Sequence, residues 1–412
     1  MVYLRKQILI GETLSHAAYP GVIIGSILSG FITMDDRTQS IFTLAGALIT
    51  ALLGLMTVNW MVAKRKIKSD AALCFILSSF FGFGLLIASE VQFSFTHLYK
   101  KALIYLYGQA ATMTSVHIWI YGILCLIVLI ATIALFKEFQ IVAFDPTYAR
   151  CLGFSVQWMD FLIVILATLA VVIGIRSVGV VLMSAMLIAP AVAARQFTNR
   201  LSTFFILAAL FGVASGFLGN YLSVRITEWS LLYDRSSRLI LPTGPMIVLV
   251  ASFFCLLALL FSPERGVAVR YLRALRFRYD CIVDNLLKAA WRRGVDKPIS
   301  IDVLNNEQSF SWITLKLILR RMRRNGWIKL SDENEYVLTT EGKARAEKIV
   351  RLHRLWEVYL VKYLGAGGER VHRNAEEMEH ILTPEIENEL TLLLNDPKMD
   401  PHDQPIPPRR RA

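Results

Sequence analysis

The sequence predicts two parts built for two solvents: an all-α polytopic membrane domain of about eight transmembrane helices, then a mainly α, charge-rich domain. Three observations predict this. Hydrophobic residues make up 55% of the 412, and the excess falls in blocks near the length of about 20 residues that spans a bilayer. Residues 1–263 hold 17 of the 44 Lys and Arg and 10 of the 32 Asp and Glu, which leaves 27 and 22 for residues 264–412. Beyond residue 294 the apolar positions recur at helix and strand spacing rather than in continuous runs. No nucleophile–base constellation or G-x-x-x-x-G-K-[ST] phosphate loop is present, which argues against a soluble enzyme and against ATP hydrolysis by this chain through that loop. The five cysteines lie far apart without CxxC spacing and read as reduced packing residues.

Apolar segments cover residues 14–33, 41–63, 71–91, 116–136, 161–175, 178–194, 204–222 and 245–261. Met1 to Gln7 leads into a polar-studded helix, so no cleavable signal peptide is expected. The strongest basic cluster between spans is Lys64, Arg65, Lys66 and Lys68, which the positive-inside rule places in the cytoplasm. Alternation then puts Lys137, Arg150, Arg195, Arg200 and Arg265 on the same side, and the charged tail emerges there. Lys100 and Lys101 oppose this trend in an outside loop, and residues 175–179 make a short break.

Ionisable groups at membrane depth are costly, so each is a candidate for function. Glu12 and His16 stand at i and i+4 on one helical face, and a carboxylate with an imidazole suits divalent zinc, manganese or iron. The same spacing also suits a buried Glu–His hydrogen bond. His97 and His117 flank the outside loop and read as interfacial.

Around that pair, Gly11-Glu12-Thr13-Leu14-Ser15-His16-Ala17-Ala18-Tyr19-Pro20-Gly21 resembles the G-D-x-L-S-H-A-x-x-P-G signature of permeases of ABC-type zinc, manganese and iron importers. Asp70-Ala71-Ala72, Phe144-Asp145-Pro146-Thr147-Tyr148-Ala149-Arg150, and the stretch from Val178-Gly179 through Pro190-Ala191 to Arg195 are similar to later motifs of that family. The resemblance covers residues 3 to about 262. It implies a permease of the bacterial inner (plasma) membrane that pairs with a second copy or a related permease. Such a permease receives metal from an extracytoplasmic metal-binding protein and is driven by a separate ABC ATPase subunit. It also implies that Glu12 and His16 contact metal in the transport pathway, and that Arg195, Gln196 and Arg200 lie by the ATPase-facing surface. Glu12 departs from the family's Asp and lengthens the arm by one methylene. The family also has one more helix ahead of this signature.

Residues 264–279 read as a basic juxtamembrane linker whose Arg265, Arg270, Arg273, Arg276 and Arg278 suit the headgroups of membrane lipids. In residues 280–345, Ser311 to Asn325 reads as a helix that buries Ile313, Leu315, Ile318, Leu319 and Met322, with Gly326 as its stop. Trp327 to Leu330 and Tyr336 to Leu338 then read as two short strands. A basic helix followed by a hairpin is the order of a winged helix-turn-helix. Ser309, Ser311, Thr314, Lys316 and Arg320 are placed to meet DNA bases, and Arg321, Arg323 and Arg324 to meet phosphates. A solvated basic helix fits the same pattern.

Residues 346–400 carry the remaining chemistry, ahead of a Pro/Arg-rich tail at 401–412. His353 and Glu357 share a helical face, and His372, Glu376, Glu379 and His380 form a second cluster, enough donors for one or two transition-metal ions. The runs Leu338-Thr339-Thr340-Glu341-Gly342, Leu352-His353-Arg354-Leu355-Trp356-Glu357, His372 to His380, and Asp400-Pro401-His402-Asp403-Gln404-Pro405 resemble, in order, the diphtheria-toxin-repressor family of metal-dependent regulators. That resemblance implies a helical metal-binding and dimerisation region, with one site of His353, Glu357 and His372 and part of another at Glu376, Glu379 and His380. Asn285 and Lys288 fall where manganese-sensing members have carboxylates, and the small C-terminal barrel of some members is not expected. The function expected is a permease subunit importing a divalent metal, with a cytoplasmic metal-responsive regulator region. The alternative is a membrane-anchored metal-dependent transcriptional regulator with little or no transport.

Overall fold

The computed structural model describes residues 8–32, 36–94, 96–233, 241–294, 297–300, 312–332, 335–365 and 369–409. They divide into two compact units, Met1–Arg270 and Tyr271–Ala412.

The first unit is built from helices joined by short turns. Its helices are α1 (Ile8–Ile32), α2 (Asp36–Arg65), α3 (Ser69–Ser94), α4 (Thr96–Tyr107), α5 (Ser115–Ala134), α6 (Phe136–Phe144), α7 (Pro146–Cys151), α8 (Val156–Val178), α9 (Met183–Phe197), α10 (Leu201–Tyr233) and α11 (Thr243–Phe261). Five of the eight apolar segments, 41–63, 71–91, 161–175, 204–222 and 245–261, fall within single helices, whereas 116–136 runs from α5 into α6 and 178–194 from the end of α8 across a turn into α9. Among the described residues six helices are long and apolar enough to cross a membrane: Arg37–Arg65, Ser69–Phe93, Ser115–Ala134, Val156–Val178, Leu201–Ser230 and Thr243–Phe261. The two that fall short differ in kind. α9 has 15 residues, about 22 Å, which is less than the hydrocarbon thickness of about 30 Å. α1 has 25 residues but carries Glu12, Thr13, Ser15 and His16, and almost all of residues 11–23 are buried among other helices.

α1 packs against α2, α3, α4, α8 and α9. Leu14, Ala18, Tyr19, Val22 and Ile23 form the centre of the main apolar core with Ala47, Ala51, Val171 and Ile175. Lipid gives no hydrophobic drive for such packing, so close backbone approach supplies it. Gly21 of α1 and Gly46 of α2 face each other so tightly that a Cβ on either would collide with the other's carbonyl oxygen. The expected break near residue 178 is the end of α8. Gly179 adopts φ +96° and the Gln109 and Val180 amides donate to the carbonyls of Arg176 and Tyr105, at 3.0 Å each.

The second unit is built on α12 (Val267–Arg293), β1 (Ile299–Ser300), α13 (Trp312–Arg324), β2 (Ile328–Asp332), β3 (Glu335–Leu338), α14 (Thr340–Leu364), α15 (Glu369–Met378) and α16 (Pro384–Leu393). The strands form an antiparallel sheet in the order β1-β3-β2. Val283, Leu286 and Leu287 of α12 meet Leu315, Ile318, Leu319 and Met322 of α13, Ile299, Ile328 and Ala346 in one core. β1 was not legible, since two residues give no alternation. Ile313 corrects the burial pattern: it is 69% exposed, because α13 turns only its 315, 318, 319 and 322 positions inward. Gly326 stops α13 with φ +76°. All five cysteines are free, and Cys74, Cys125 and Cys151 are exposed rather than packed.

Candidate metal centres

On α1, His16 is buried and its Nδ1 lies 3.0 Å from the carbonyl of Glu12 and 3.4 Å from Ser15 Oγ. A carbonyl only accepts, so Nδ1 is the donor of this bond and Nε2 is the ring nitrogen on the far side from it. Phe81 of α3 packs edge-on against the ring, with centroids 4.7 Å apart, and fixes its plane. Glu12 is half-buried one turn earlier. The pair therefore lies at the heart of the bundle. One turn later Pro20 has no N–H to give the His16 carbonyl, which loses its helical donor. Gly11, beside Glu12, lines an apolar cavity of about 260 Å³ between α1, α5, α6, α8, α9 and α10. Of the two outer histidines, the side chain of His97 lies outside the described residues. His117 is buried and caps α5 through Thr114, 2.5 Å from its Oγ1.

At the α9–α10 turn, Arg195 reaches the carbonyls of Thr198 and Asn199 at 3.5 Å each. The Gln196 carbonyl accepts from Ser262 Oγ, and Arg265 donates to Asn199 Oδ1. Arg200 is exposed.

The second unit brings together three of its six predicted ligands. His353 and Glu357 lie a turn apart on α14, and His372 approaches from α15. Gly365, in the left-handed region, ends α14 and lets the chain turn back. The three donor atoms form a near-equilateral triangle. His353 Nε2 is 3.1 Å from His372 Nδ1 and 3.2 Å from Glu357 Oε1, and His372 Nδ1 is 2.9 Å from Glu357 Oε1. Ligands bound at about 2.1 Å and at right angles around one transition-metal ion are about 3.0 Å apart, so this triangle fits one face of a metal's coordination shell. Its nitrogen and oxygen donors suit zinc, manganese or ferrous iron. His353 and Glu357 are buried, and His372 opens the site to solvent.

The electrostatics favour a cation here. Burial pushes the Glu357 carboxyl up, yet hydrogen bonds from His353 and His372 bring it down to about 2. Burial pushes the His353 imidazole down, but its hydrogen bonds to Glu357 and Glu379 carry it above its usual range. His353 Nδ1 lies 2.5 Å from Glu379 Oε2. A carboxylate on Nδ1 fixes the tautomer that aims the Nε2 lone pair at the triangle, the usual arrangement behind a metal-bound histidine.

Glu376, Glu379 and His380 do not assemble a comparable set. Buried Glu379 is gripped by Lys288 of α12, whose Nζ donates at 2.7 and 2.8 Å to its two oxygens. Glu376 is half-exposed, 3.6 Å from His372 Nε2. His380 is half-buried, 3.6 Å from Asp284 and 3.7 Å from Glu379. Asp284 is itself held by Arg345 at 2.7 and 2.8 Å. Arg345 was missed in the sequence, as was buried Arg351, which binds Glu387, Thr391, Asp396 and the Pro407 carbonyl. Neither carries a local signal, since their partners lie in distant segments.

Of the predicted DNA contacts, Thr314, Lys316, Arg320, Arg321, Arg323 and Arg324 are exposed on α13. Arg321 stacks over the Tyr279 ring at 4.6 Å. Ser309 and Ser311 lie outside the described residues.

Comparison with known proteins agrees with this division. Residues 1–262 match the ABC 3 transport family, and residues 339–408 match the metal binding and dimerisation domain of iron dependent repressors. A probable metal transport system membrane protein of Chlamydia trachomatis is 35% identical over all of this chain and 92% of its own. The manganese transport system membrane protein MntC of Bacillus subtilis is 30% identical over 87% of this chain and 79% of its own. Among solved structures, PsaBC from Streptococcus pneumoniae in complex with Fab is 27% identical, covers 66% of this chain and 87% of that one, and superposes with a TM-score of 0.53. The chain is thus a multi-pass membrane protein that belongs to the ABC 3 transport family and carries an iron dependent repressor-type metal-binding domain in the same polypeptide.

Proposed function

We propose that this protein is the permease subunit of an ABC importer that carries a divalent transition metal, manganese, zinc or ferrous iron, across the bacterial inner membrane. Its second unit lies in the cytoplasm and senses the same class of ion. The observation that carries this reading is the His353–Glu357–His372 triangle, a metal-shaped donor set in one chain with a metal-family permease. In the membrane unit, Glu12 and Nε2 of His16 are the contacts for the passing ion. The carboxylate supplies charge, and the imidazole supplies a nitrogen donor. An extracytoplasmic binding protein delivers the ion, and a separate ATPase subunit docks by the α9–α10 turn, where Arg200 is exposed.

The test is uptake of manganese, zinc or iron into proteoliposomes holding the chain with its ATPase subunit. ATP-dependent uptake is expected in the native pair and its loss in Glu12→Ala/His16→Ala. Uptake indifferent to that double change overturns the pathway assignment. The exposed basic face of α13 supports DNA binding as the output of sensing. Arg323→Ala is expected to weaken DNA binding by the full chain on all sequences alike and to reduce its dependence on salt by about one counterion.

A further inference from the structure

The predicted second metal position raises a separate question, because its donors surround a cation that the chain itself supplies. Lys288 is 4% exposed and projects from α12 into a ring of metal-type ligands. Its Nζ lies 2.7 and 2.8 Å from the two Glu379 oxygens, 3.5 Å from His353 Nδ1 and 4.0 Å from Glu376 Oε1. A carboxylate held on both oxygens and a second carboxylate are donors a divalent ion would recruit. An ion added beside the ammonium would face a positive charge a few ångströms away in a site with little water, where such repulsion is strong. The neighbouring carboxylate offers no relief, since Asp284 is already paired with Arg345. The residues at this position therefore do not fit a metal.

We propose that Lys288 is a built-in substitute for a second metal ion, which makes the C-terminal unit a one-ion sensor whose α12–α15 clasp closes without metal. The chemistry follows from where Lys288 stands. α12 contributes Val283, Leu286 and Leu287 to the core that holds the basic helix α13, while Glu379 directly follows α15, which carries His372. The Lys288–Glu379 pair thus joins the core behind α13 to the metal-binding helices. A mobile ion at this point would make that junction conditional on metal supply, whereas a covalently attached ammonium makes it permanent. Only the His353–Glu357–His372 triangle is left to respond. Glu379 serves both sides, gripping Lys288 while orienting His353 through Nδ1.

This inference rests on the triangle being a metal centre, and the experiment separates the two. Manganese bound per chain is counted by electron paramagnetic resonance on the full protein in detergent, in a Glu12→Ala/His16→Ala background that removes the pathway pair. One ion per chain is expected, lost in Glu357→Gln; an ion count unmoved by Glu357→Gln sinks the triangle. Lys288→Glu is expected to bind one ion more than its parent, lost again on adding Glu379→Gln. A parent chain that already binds a Glu379-dependent second ion, or a folded Lys288→Glu chain that gains none, overturns the proposal. Should Lys288→Glu fail to fold, Lys288→Met decides. Amide exchange in α12 and α15 is then expected to speed up without manganese and slow on adding it, while the native chain does not change in the Glu357→Gln background. Metal-independent exchange in Lys288→Met overturns the proposal equally.

Discussion

Glu357 shows how a single buried carboxylate is kept ionised. Isolated in the interior it would take up a proton, but two imidazoles hold it ionised down to about 2. Its folded-state value lies below its ordinary 4.5, so its contribution to stability is complete above about 4.5 and is lost as pH falls toward 2. Acid titration of the C-terminal unit, followed by tryptophan fluorescence, is expected to show that loss in the native chain and not in Glu357→Gln. His353 shifts the other way, above its usual range. A proton on Nε2 competes with metal, so manganese affinity is expected to fall as the pH drops through that raised value. Glu379→Gln removes the carboxylate behind His353, and a loss of about 10–100-fold in manganese affinity is expected by equilibrium dialysis. The pairing of His353 with Glu357 was legible because helical spacing makes i, i+4 pairs visible in a bare sequence. The division of labour was not. Glu379 was grouped with Glu376 and His380, and only the fold shows it facing His353 and Lys288 instead.

Elements were legible where one solvent dominates. The spans of α2, α3, α5, α8, α10 and α11 follow from uninterrupted apolar length alone, since a bilayer forces every backbone group into helical bonds. α1 and α9 were harder, because a helix wrapped by protein rather than lipid is free to be polar or short. α13 was read correctly in extent and misread at Ile313, which sits one turn before the buried face and is exposed with Leu317. Leu319 is 1% exposed in the core of this region. Leu319→Ala is expected to cost about 2–5 kcal/mol, seen as faster proteolysis of the C-terminal unit with the membrane unit intact. In the membrane unit, Gly46→Leu is expected to separate α1 from α2, since its Cβ meets the Gly21 carbonyl. The measurement is the yield of monodisperse protein from detergent, with a conservative Leu53→Ile change on an exposed position of α2 as control.

At the scale of the whole molecule, one chain joins a metal-family permease to a repressor-type metal site, and this union was visible in the switch of charge density near residue 264. Two independently compact units predict separable effects. A chain ending after Arg270 is expected to retain ATP-dependent uptake in proteoliposomes but to lose any slowing when manganese is added on the ATPase side. Slowing that persists without the second unit would assign the response to the membrane unit or its ATPase.

The buried Arg351 has a consequence for biosynthesis. Its guanidinium reaches the Pro407 carbonyl, 56 positions downstream, and it stands two residues ahead of His353 on the same helix. A nascent chain cannot give that arginine all its partners until translation has passed Pro407. Until then, the segment bearing His353 and Glu357 emerges from the ribosome with a charge seeking its anchor. The permease helices are threaded into the bilayer long before that moment. Newly made protein would therefore reach the membrane as a conduit first and acquire its ion-reading ability last.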